Sequence, residues 1–212
     1  MEKSHPILYE PTTAITDFII FVLGCYFGWS TFYILGSTFH LLWSITFFVL
    51  SIGALLGGIS HGFGPRFSKL EKKVLWILTL IFVGLSALML LLSVLMFFIN
   101  GSIGFLIIFL FVFLFVFYIY TILKNDSFLI AIKFYLPILI GALFCFLYTF
   151  INKGYTGSLF ISIGLIVTLV ASLVQMSKIT LHKYFNYNDF FHVLQIIGMY
   201  LMYEGGLEIP KI

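Results

Sequence analysis

From Phe18 to Ser60 the chain carries no Asp, Glu, Lys or Arg, an uncharged run of 43 residues. As one straight helix this run would extend about 65 Å at about 1.5 Å per residue. That is roughly twice the ~30 Å hydrocarbon core of a bilayer. The run must therefore turn, and Gly36-Ser37 is the natural place, with one membrane-length helix on each side. A soluble fold cannot hide two such segments and keep a wetted surface. Composition agrees: 62% of residues are hydrophobic and 9% charged, against about 25% charged in soluble domains.

These proportions exclude a soluble enzyme, a disordered chain and a secreted disulfide scaffold. A formal charge of +3 is too slight to point to nucleic acid. Cys25 and Cys145 lie in separate apolar segments, where free thiols behave as small hydrophobes. The first seventeen residues lack the basic start and short apolar core of a signal peptide, so the first helix is expected to stay in the mature protein.

Seven crossings are expected, at about 14–35, 39–62, 72–99, 102–123, 128–151, 158–177 and 189–207. Six is the competing count if the first two helices are misjoined. The fold class is thus an all-α integral membrane protein, a seven-transmembrane-helix bundle forming one domain over 1–212. Ser68 and Glu71 fit a capping box for the third helix. Asn100-Gly101 closes that helix, Asp126 or Ser127 caps the fifth, and Pro137 kinks it. Lys3, Arg66, Lys69, Lys72, Lys73, Lys124, Lys178 and Lys183 fall on one side and Lys153 and Lys211 on the other. The bias places the N-terminus inside and the C-terminus outside. A bacterial inner membrane or a eukaryotic endomembrane would suit it equally.

Ionisable groups near a membrane interior are functional candidates by default. On this topology His61 ends the second helix beside Ser60, and Glu71 opens the third at the same level. His182 lies in the last connection, and Asp189 and His192 open the seventh helix. Gly53, Gly57 and His61 recur at four-residue spacing, so His61 is expected to point into the bundle. Two His plus a carboxylate make an adequate catalytic zinc set, and Asp189-x-x-His192 presents both groups on one face. Simpler readings exist for each residue. Asp189 and Asn188 suit a helix cap, Glu71 suits the capping box, and His192 with Gln195 suits an interhelical hydrogen bond. His61 suits the headgroup level, and His182 suits a solvated loop.

This arrangement resembles the superfamily of seven-helix membrane hydrolases that includes alkaline ceramidases and the progestin and adipoQ receptors. The resemblance implies a Ser and a His at the inner end of the second helix, an acid opening the third, and His-x-x-x-His opening the seventh. Three His would hold zinc. His61 and His192 match, while Asn188 stands where the first His of the seventh-helix pair belongs. Ser60 adjoins His61 rather than preceding it by a turn, and Glu71 replaces Asp.

The function expected is metal-dependent hydrolysis of an amide or ester bond in a membrane lipid. Zinc on His61, His192 and Asp189 or His182 would activate water. Ser60 would position that water or bind the oxyanion, and Glu71 would shuttle the proton. The alternative is a non-catalytic bundle without metal, either a small transporter or a sensor, supported by Lys133 within the fifth helix. The hydrolase reading needs the donors to converge, whereas the transporter reading needs a polar cavity near Lys133, Gln175 or Gln195.

Overall fold

The computed structural model describes residues 7–34, 36–98, 102–180, 182 and 185–210. Backbone amides have no partner in hydrocarbon except each other, so apolar stretches of this length close into helices. Among the described residues seven form: α1 (Pro11–Phe32), α2 (Thr38–Phe63), α3 (Lys69–Phe98), α4 (Ser102–Lys124), α5 (Phe128–Lys153), α6 (Thr156–Ser177) and α7 (Tyr187–Glu208). The first six are long and apolar enough to cross a membrane, and the chain is a multi-pass helical membrane protein. α7 spans 22 residues, as α1 and α6 do. It is less apolar because it carries Asp189, His192 and Gln195, all buried inside the bundle.

The boundaries follow local chemistry. Gly36 takes φ 86°, a left-handed turn that suits glycine, and Ser37 caps α2. α3 begins at Lys69, three residues sooner than expected, because Ser68 itself is the cap. The Ser68 N–H donates to Glu71 Oε2 at 2.8 Å, and the Glu71 N–H donates to Ser68 Oγ at 3.3 Å. Ser127 rather than Asp126 caps α5, which runs unbroken through Pro137. α1 starts at Pro11, where a missing N–H costs nothing. The expected stop at Asn100-Gly101 and the basic residues Lys3, Lys183 and Lys211 lie outside the described residues.

At α7 the cap is neither Asn188 nor Asp189. Asn186 Oδ1 accepts from the N–H groups of Asn188 (2.7 Å) and Asp189 (3.4 Å), and the Asn186 N–H donates to Asp189 Oδ2 at 2.7 Å. This capping box starts the helix at Tyr187 and turns Asp189 and His192 inward.

Six helices close a ring. α1 packs against α2 and α7, α2 against α3, α3 against α5, α5 against α6, and α6 against α7. α4 lies outside, against α3 and α5, held to α3 by the Tyr118 hydroxyl donating to Leu80 O at 2.6 Å. Its Phe105, Phe109 and Phe113 face outward. α6 and α7 approach closely, and a Cβ on Gly164 would stand 2.7 Å from the Gly198 carbonyl oxygen. At the end opposite the basic run Arg66–Lys73, His40 Nε2–H donates to Gly206 O at 3.1 Å and ties α2 to α7.

Candidate functional site

The ring encloses a cavity of about 140 Å³. Its lining comes from α1, α2, α3, α5, α6 and α7, with no residue from α4. Near the basic end the lining is polar: Asp17, His61, Gln175, Asn188, His192 and Gln195. Farther in, it is mainly aliphatic, with Leu50, Val83, Leu90, Leu139 and Met202. From His61 to Thr46 on α2 the lining extends about 22 Å along the helix axis at about 1.5 Å per residue. The shape suits an amphiphile: a polar mouth and a long greasy interior.

Asp17 is the centre of the polar end. It sits on α1, between α2 and α7, and is 6% exposed. Asp17 Oδ1 lies 3.4 Å from His192 Nε2, and its Oδ2 is buried with no hydrogen-bond partner among the described residues. Gly57 leaves room for this carboxylate, since a Cβ there would come within 3.1 Å of Oδ2.

On its other side, His192 Nδ1 is 2.8 Å from Thr16 Oγ1. That hydroxyl also lies 3.0 Å from Thr12 O and 2.9 Å from Thr13 O. A hydroxyl has one hydrogen, and the helix carbonyls take it, so Thr16 accepts from His192 Nδ1–H. The network thereby assigns the tautomer. Neutral His192 then turns the bare Nε2 toward Asp17. A lone pair facing an ionised carboxylate is repulsive, so the Asp17–His192 pair holds one proton between its two members.

A second acid–base pair stands at the mouth. His61 Nδ1–H donates to Glu10 Oε2 at 2.7 Å. The carboxylate fixes the ring and leaves Nε2 as the basic atom. Glu10 is held below its ordinary value of 4.5, first by the His61 hydrogen bond, with partial burial opposing and the charges of His61 and Lys72 reinforcing.

The residues expected from the sequence divide among several places. His61 and His192 line the one cavity. Asp189 is 1% exposed but occupied: Oδ1 accepts from the Thr13 hydroxyl at 2.7 Å, and Oδ2 belongs to the capping box. His182 is exposed in the last connection, in a bridge with Phe185. Glu71 is exposed and serves the α3 cap. Ser60 is buried beside His61, on the wall of a second hollow at the mouth. Lys133 faces outward and does not reach the cavity.

Of the four expected zinc ligands, His61 and His192 line the cavity, whereas Asp189 and His182 are not in its wall. Asp189 and His182 stay with their own partners. Among the described residues, no group of three or more His, Cys, Asp and Glu side chains is arranged to hold a metal. α1 stands between α2 and α7 in the ring and places Asp17 beside His192.

Glu10, Thr13, Thr16 and Asp17 were not anticipated. Their spacing was the available signal: 10, 13 and 17 fall on one helical face, directly before the long uncharged run. Read as a polar tail, they look like solvent residues. At the start of α1, Thr13, Thr16 and Asp17 are buried in the bundle and Glu10 stands at the mouth.

A family profile matches residues 12–211, and the chain belongs to the Family of unknown function (DUF6962). No curated protein and no solved structure matches it.

Proposed function

We propose that this member of the family hydrolyses an acyl bond, amide or ester, of a membrane lipid whose tail lies in the ring cavity. The observation that carries the reading is the placement of two acid–base pairs, Asp17–His192 and Glu10–His61, around the polar mouth of a cavity that is mainly apolar farther in. Pairs of titratable groups in contrasting surroundings are how a site divides acid and base roles. The seven-helix hydrolases resembled by the sequence act on the same class of bond.

In the proposed reaction, His61 Nε2 takes a proton from a water molecule, with Glu10 stabilising the ring. The hydroxide attacks the acyl carbon, and Asn188, held at its Oδ1 by Gln175 Nε2–H (2.9 Å), offers its amide hydrogens to the oxyanion. As the C–N or C–O bond breaks, the proton held by Asp17 and His192 passes to the leaving atom. The proton on His61 then returns to that pair through water, so no net proton is gained or lost by the protein. Thr16 acts as a positioning residue, because it fixes the His192 tautomer. No step passes through a metal.

In this reading the basic end faces the cytoplasmic side, which puts the N-terminus inside and the C-terminus outside, as the basic bias favours. A second reading, transport, draws on Gln175, Gln195 and Thr168 in the cavity wall. The test is fatty-acid release from labelled ceramide, monoacylglycerol and phospholipid by protein in nanodiscs. Wild type is expected to cleave at least one class, and His61→Ala and His192→Ala each to lose about 10²–10⁴-fold. Absence of cleavage from every class, with passage of a polar solute in proteoliposomes, would replace this reading with transport.

A further inference from the structure

The second hollow has a volume of about 440 Å³ and is lined by Glu10, Ser60, His61, Lys69, Lys72, Lys73, Trp76 and Asp126. His61 and Trp76 belong to its wall and to that of the ring cavity. The two spaces therefore adjoin at His61 and Trp76, and His61 is the residue placed at the reacting bond. Trp76 is fixed there, since its Nε1–H donates to Asp126 O at 2.7 Å. Three lysines, Lys69, Lys72 and Lys73, line this hollow beside two acids, Glu10 and Asp126. One of those, Glu10, is already bonded to His61.

A basic run at a membrane surface serves topology wherever its lysines point. Here Lys69, Lys72 and Lys73 share one hollow rather than spreading around α3. They share it with the residue that also opens the aliphatic cavity. The chemistry that matches is a phosphate: multiply charged, strongly accepting, and attached to an acyl chain that continues inward.

We propose that this hollow seats the phosphate headgroup of an acyl lipid, so that the substrate is an anionic lipid rather than a neutral one. The word substrate rests on the hydrolase reading, whereas the headgroup site stands on the hollow alone.

The test is competitive retention of lipid by wild-type protein in detergent, read by native mass spectrometry with phosphatidic acid and diacylglycerol at equal concentration. These two differ by the phosphate only. Wild type is expected to retain phosphatidic acid about tenfold over diacylglycerol. The triple variant Lys69→Gln, Lys72→Gln, Lys73→Gln is expected to lose that preference. Lys178→Asn, which removes a charge outside the hollow and suits the left-handed φ of 53° there, is expected to keep it. Equal retention of both lipids by wild type would overturn the proposal, as would an equal loss in Lys178→Asn. Displacement of phosphatidic acid by millimolar inorganic phosphate would also overturn it, in favour of a free-anion site. Retention without any fatty-acid release would contradict the hydrolase reading and leave the headgroup site standing. Release with no phosphate preference would do the reverse.

Discussion

Burying Asp17 inside a membrane protein is costly unless its charge is answered, and the answer lies in one shared proton. His192 faces it at 3.4 Å with a nitrogen that Thr16 has left bare. Glu10 illustrates the same chemistry where water reaches it. Its carboxylate is held below 4.5, chiefly by the His61 hydrogen bond. A depressed carboxylate stabilises the fold fully above its unfolded value and loses that contribution as pH falls through the folded one. Thermal unfolding of Glu10→Gln beside wild type should therefore show a wild-type advantage that is complete above 4.5 and fades below it. Parallel curves at every pH would remove the Glu10–His61 hydrogen bond from the account. At this scale the sequence was informative about type and blind to partnership. His61 and His192 stood out as imidazoles in apolar helices. Nothing in their neighbours showed that Glu10 and Asp17, both on the N-terminal side of the uncharged run, would be the carboxylates facing them.

Helices α1, α2 and α7 meet at the site because small residues let them. Gly57 and Gly58 on α2 admit Asp17 and Phe18, and Gly164 and Gly198 bring α6 onto α7. The two kinds of contact respond differently to a methyl group. At Gly164 a Cβ would stand 2.7 Å from a backbone oxygen, and backbone cannot swing aside, so Gly164→Ala should cost about 1–3 kcal/mol of stability. At Gly57 the neighbour is the Asp17 carboxylate at 3.1 Å, which yields by a few tenths of an ångström. Gly57→Ala should melt close to wild type and lose about tenfold in acyl release, since misplacement of a reacting group by 1 Å can cost about 10²-fold. Melting temperatures and initial rates on the same preparations separate the two, and a reversed pattern would contradict the packing argument. Helix number and the Gly36 turn were legible because hydrophobic length and glycine are local signals. The α7 start lies two residues earlier than the apolar pattern implies because Asn186 and Asp189 cap each other reciprocally ahead of it.

For the molecule as a whole, the order of the ring decides the chemistry. α2 and α7 carry the two imidazoles, His61 and His192. With α1 between them, the carboxylate comes from α1 and the imidazoles flank it across the mouth of an aliphatic cavity. Helix order is a long-range property, and no periodicity within a segment encodes it. α4, outside the ring and rich in outward Phe, contributes breadth in the membrane and nothing to the cavity wall. The central claim is that the Asp17–His192 pair supplies the proton for acyl-bond cleavage. Its most direct test is Asp17→Asn against wild type in nanodiscs, with fatty-acid release and melting temperature recorded on the same samples. Asparagine matches the carboxyl in shape and cannot exchange the proton. The account predicts melting within a few degrees of wild type and release lowered by about 10²-fold or more. Release at the wild-type rate from a normally folded Asp17→Asn protein would contradict it.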